Sequence, residues 1–79
     1  MKIYWFGDSK NIIGSKVREL RIQNQLTQKE LASKLQLAGY EFTDLTILRI
    51  ENGKRFVPDY EVKALAHIFN VSYSVLLDN

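Results

Sequence analysis

No cysteine occurs among the 79 residues, so neither disulfides nor thiolate metal sites can hold this fold together. No apolar run exceeds four residues, which excludes a membrane-spanning helix. The opening "MKIYWF" has an early lysine and some apolar residues but is far too short for a signal peptide. The expected compartment is the cytoplasm. There is one histidine, His67, and neither Asp59, Glu61 nor Asp78 stands at ligand spacing from it, so it reads as a structural side chain rather than a metal ligand or base. The four glycines, at positions 7, 14, 39 and 53, are dispersed and form no phosphate-cradling loop. The serines, at 9, 15, 33, 72 and 74, lack a nucleophile-elbow context. With no catalytic residue, metal or cofactor indicated, an enzyme is not expected.

What is present is ordinary for a small globular domain: 46% hydrophobic and 25% charged residues. No repeat, low-complexity tract or linker divides the chain, which is long enough for one modest core. Residues 1–57 carry ten Lys/Arg against six Asp/Glu, whereas residues 58–79 carry Lys63 against Asp59, Glu61 and Asp78. A basic front and an acidic back suit an anionic partner on one face. A mixed solvated surface accounts for the net charge of +2 equally well.

Helical periodicity runs along most of the chain. Ile13, Val17 and Leu20 form one apolar stripe over about Asn11 to Asn24. A second helix opens on "TQKE", a capping box in which Thr27 caps the helix and Glu30 reaches back. Leu31, Ala32 and Leu35 form its inner face. The third, "DLTILRIEN", is capped by Thr43, turns Ile47 and Ile50 inward and stops at Gly53. The fourth follows the lone Pro58 and reaches Phe69, with Val62, Leu65, Ala66 and Phe69 as its stripe. A short fifth starts at Ser72 and carries Val75 and Leu76. Only "KIYWF" near the start has strand character. The expected fold is therefore all-α, a compact bundle of about five helices, with an N-terminal arm over 1–10 and a domain over 11–77.

The second and third helices have the makings of a helix-turn-helix. Ala32 is small where the two helices would touch, and Thr27 and Gln28 open the first of them with amides able to hold a phosphate. Ile47 and Ile50 lie behind the third helix, Asp44, Leu45 and Arg49 in front, and Lys54 and Arg55 just beyond. Two amphipathic helices with solvated charges would show much the same spacing.

The ordered set of motifs narrows the choice. "IGSKVRELRIQNQLTQKELASKL" followed by "TILRIENGKR" resembles the phage-repressor helix-turn-helix family, the lambda-repressor and Cro-like or XRE group. Its pattern runs I-G-x-x-(I/L)-R-x-x-R, then L-(S/T)-Q-x-x-L-A-x-x-L, then I-x-x-(I/L)-E-x-G-x-R. The likeness covers about residues 11–77. It implies a lambda-repressor-like fold with a recognition helix over about 44–52. It implies a DNA-facing set of Thr27, Gln28, Thr43, Asp44, Leu45, Thr46, Arg49, Lys54 and Arg55, with Gln28, Lys54 and Arg55 on phosphates. It further implies a structural ion pair between Arg21 and Glu51.

One stretch departs from that pattern. Between the second and third helices the chain has about five residues more than the family's usual G-V-S link, in "QLAGYEFTDLT". Gln36, Leu37 and Ala38 are acceptable helix formers and extend the second helix by nearly a turn. Gly39 then takes the left-handed end position. Tyr40, Glu41 and Phe42 make the connection, with Phe42 as the inward anchor and Tyr40 on the loop surface. Asp44 admits two readings: an acceptor for cytosine N4, or a helix-start carboxylate favoured by the dipole.

The function implied is sequence-specific binding of double-stranded DNA by a bacterial or phage transcriptional regulator. One short recognition helix reads few base pairs, so a homodimer on a pseudo-palindromic site is expected. Its contacts would come from Tyr4, Trp5 and Phe6 or from Tyr73, Leu76 and Leu77. The alternative is a protein-interaction module of the same fold, antitoxin-like or adaptor, meeting a protein partner through Tyr4, Trp5 and Phe6. Those three aromatics could instead fold back as a core lid.

Overall fold

The computed structural model describes residues 9–78, so the expectations for "KIYWF" and for Tyr4, Trp5 and Phe6 lie outside the described residues. The five helices are α1 (Gly14–Gln23), α2 (Gln28–Leu37), α3 (Asp44–Glu51), α4 (Asp59–Phe69) and α5 (Tyr73–Leu77). Among the described residues the fold is all-helical. No described helix is long and apolar enough to cross a membrane.

Helix α1 starts three residues later than its periodicity suggests. Asn11 caps it from outside: its Oδ1 accepts from Gly14 N at 2.8 Å, while its Nδ2 donates to the carbonyls of Ile50 (3.2 Å) and Arg55 (2.8 Å). The side chain that seemed to begin the helix thus ties the start of α1 to the end of α3. Gly14 sits in that junction because a Cβ there would run into the Ile50 carbonyl oxygen.

Four of the helices end in the same way. After α2, the N–H of Gly39 donates to Gln36 O and that of Tyr40 to Leu35 O, each at 3.0 Å. This paired pattern needs a left-handed residue, supplied by Gly39 at φ +96°. Gly53 does the same for α3, and Gln25 and Asn70 stand in the left-handed region after α1 and α4. The second helix therefore continues to Leu37, with Ala38 at its cap, as its residue preferences imply.

The core is one cluster built from every helix, including Ile13, Val17, Leu31, Leu35, Ile47, Ile50, Leu65 and Leu76. Phe42, in the connection between α2 and α3, is 1% exposed and packs inside it. Full burial of such a side chain is worth about 1.5–3 kcal/mol. Tyr40 departs from the surface position expected of it. It is half-buried against the core and meets Phe42 edge-on, with ring centroids 6.4 Å apart. Gln36 Nε2 donates to the Phe42 carbonyl, closing the connection onto α2.

The acidic back and the α4 stripe also need revision. Glu61 is buried, paired with Arg55, and Ala64 lies beside Leu65 and Ala66 in the core, while Val62 is only half-buried. In α5, Leu76 is wholly buried and Val75 is exposed. Leu76 is a core residue and cannot serve as a dimer contact.

Candidate nucleic-acid interface

Two capped helices frame the surface. Thr27 Oγ1 accepts from Glu30 N at 3.0 Å, and the Glu30 carboxylate accepts from Thr27 N at 2.8 Å. Donation to the Glu30 carboxylate, from the Thr27 backbone N–H foremost and from the Thr27 hydroxyl second, holds that carboxyl below its ordinary range. At α3, Thr43 and Thr46 form the equivalent box, with Thr43 N donating to Thr46 Oγ1 at 3.1 Å and Thr46 N to Thr43 Oγ1 at 3.2 Å. Asp44 Oδ1 accepts from Leu45 N at 2.9 Å. The Asp44 carboxylate is thus turned to the amide end of α3, which the helix dipole favours.

Helix α2 packs most extensively on α3, and α1 also packs on α3. A network centred on Glu51 fixes the three. Arg21 donates from Nε to Glu51 Oε2 at 2.6 Å and from Nη2 to Oε1 at 3.1 Å. Gln28 Nε2 donates to Oε1 at 3.2 Å, and Arg21 Nη1 reaches the Leu26 carbonyl at 2.8 Å. Glu51 raises the already high pKa of Arg21, so the guanidinium remains charged. The Gln28 amide nitrogen is thus engaged in this network, on a half-buried side chain.

With Ile47 and Ile50 fully buried, geometry decides what α3 presents outward. At 100° per residue, Leu45, Arg49 and Asn52 form the row opposite that buried face, and Leu48 flanks it. All four are exposed. Leu48 and Asn52 escaped the sequence reading, although their spacing from Leu45 and Arg49 is the i, i+3, i+4, i+7 repeat of one helix face.

The expected set therefore divides. Thr27, Thr43, Asp44, Leu45, Arg49 and Lys54 are exposed, and Thr46 is half-buried in its capping role. Lys54 follows the left-handed Gly53, its N–H bonded to Arg49 O at 2.8 Å. Arg55 is engaged elsewhere. It pairs with Glu61 through both terminal nitrogens, lies 5.4 Å above the Phe42 ring centroid and donates to Phe56 O. Glu61 raises the Arg55 pKa. No local pattern marks this pair, because Glu61 reads as one more surface acid in the first turn of α4.

Among curated proteins and among solved structures, none matches this chain. A family model described as "Helix-turn-helix domain" matches residues 14–79, a span that includes all five helices. With α2 and α3 packed as the paired helices and the Glu51 network fixing their angle, the chain belongs to the helix-turn-helix domain family.

Proposed function

We propose that this protein is a sequence-specific binder of double-stranded DNA that acts in transcriptional regulation, with α3 in the major groove. The observation that carries the reading is the exposed row Leu45, Leu48, Arg49 and Asn52 on a helix whose opposite face is wholly buried. Arginine and asparagine are the side chains best suited to bidentate contact with guanine and adenine edges. In this reading Thr43 and Thr46 set where the helix begins, and Asp44 stands at the groove entrance. Lys54 and the amide end of α2 at Thr27 lie on phosphates. Gln28 and Arg55 hold the frame instead of the backbone of the DNA.

Two-fold pairing on a pseudo-palindrome follows from the small reach of one eight-residue helix. The exposed Tyr73 and Leu77, beside Val57, Tyr60 and Val62, offer an apolar groove between α4 and α5 for the second copy. Selection of bound sequences from a random duplex pool tests the reading. Enrichment of a two-fold-related pattern with half-sites about one helical turn apart is expected. A pool that remains random after repeated rounds would remove it.

A further inference from the structure

We propose that Leu45 and Leu48 read the 5-methyl groups of pyrimidines in the major groove, those of thymine above all. The inference rests on the DNA-binding reading above. Leu45 is 48% exposed and Leu48 42% exposed, one turn apart on α3, while Ile47 and Ile50 between and beyond them are at 0%. The core is thus complete without the two leucines, and they share the outer half of α3 with Arg49.

An apolar pair among charged groups is ill suited to a phosphate; of its charged neighbours, Arg49 and Lys54 match the charge of a duplex, while the Asp44 carboxylate accepts from Leu45 N at the start of α3. On the base edges of the major groove, the 5-methyl is the one apolar group that protrudes; the cytosine C5–H lies flat, and the other positions that face the groove show a donor or an acceptor. Leucine has neither. Against a methyl it gains contact. Against N7, O6 or an exocyclic amine it strips water and returns no hydrogen bond, which is a penalty. The two leucines therefore discriminate by attraction at one base and by exclusion at the others. Thymine and 5-methylcytosine carry the same methyl, so the chemistry recognised is the 5-methylpyrimidine.

The test uses the full chain and a duplex selected by it from the random pool. Replacing each thymine singly by uracil removes only the methyl. About fourfold weaker binding is expected at each contacted position, the worth of one buried methyl group. Both leucines are exposed, so Leu45→Ala and Leu48→Ala should fold, with melting as the check. Each should abolish the thymine–uracil difference at its own position, whereas Arg49→Ala should keep it. At a sensitive position, 5-methylcytosine should bind better than cytosine. Thymine and uracil bound alike, with 5-methylcytosine no better than cytosine, would overturn this inference alone. No duplex retained at any salt would overturn it together with the reading beneath it.

Discussion

The Arg21 guanidinium and the Glu51 carboxylate meet in a two-point bond, at 2.6 and 3.1 Å, that joins the last turn of α1 to the end of α3. Their side chains are only 13% and 4% exposed, so removal of one partner leaves a nearly buried charge with little to balance it. Arg21→Ala should therefore destabilise the fold by about 3 kcal/mol. Arg21→Lys, which cannot form the planar fork, should cost about half as much. Urea unfolding of the two variants checks both figures. A loss under about 1 kcal/mol for Arg21→Ala would mean the pair is screened like a surface bridge.

Glu30 gives a pH signature. Its carboxyl is held below the ordinary value of 4.5, first by the Thr27 backbone N–H and then by the Thr27 hydroxyl. A lowered folded pKa means a contribution that is present above about pH 4.5 and lost as pH falls through the folded value. Thr27→Ala removes the hydroxyl and keeps the backbone donor, so the Glu30 midpoint followed by NMR should rise only part of the way to normal. Full return would show that the backbone bond contributes nothing.

The long α2–α3 connection is held by two aromatics. Phe42→Ala should cost about 3–5 kcal/mol, as for any large side chain removed from a core. Tyr40→Ala should cost about 1–2 kcal/mol, more than a surface residue would, because it also removes the edge-on contact with Phe42. The double variant should show coupling between them. Small, equal and additive losses would mean the connection is loosely attached.

Lys54 and Arg55 are adjacent but should behave as opposites. Lys54→Ala should leave the melting temperature unchanged, weaken binding to every duplex alike and reduce the salt slope by about one. Arg55→Ala should lower stability by about 3 kcal/mol, because Glu61, only 6% exposed, would lose its counter-charge. Parallel melting and binding measurements separate the two roles.

The local signals in the sequence carried through to the structure wherever a short-range rule governs. Thr27 with Glu30, Gly39, Gly53 and Pro58 each act within a few residues, and each stands at the helix boundary it marks. The inward Phe42 followed from counting residues through the extended turn. What could not be read were partnerships across distance. Glu61 carries no mark that it will be buried under Arg55, and Asn11 looks like a helix start until its amide is seen bonded to Ile50 and Arg55. The outer row of α3 was half legible: Leu45 and Arg49 stood out, and the same periodicity held Leu48 and Asn52.

The most direct test is a titration of one selected duplex and its scrambled counterpart at about 50 and 200 mM salt. Release of counterions by Lys54 and by any further cations that reach phosphates should give both duplexes negative log–log slopes, about −1 for each such cation. The selected sequence should be bound more tightly at each salt concentration, and Arg49→Ala should narrow that gap. Equal affinity for the two duplexes, or binding that does not change with salt, would contradict the account.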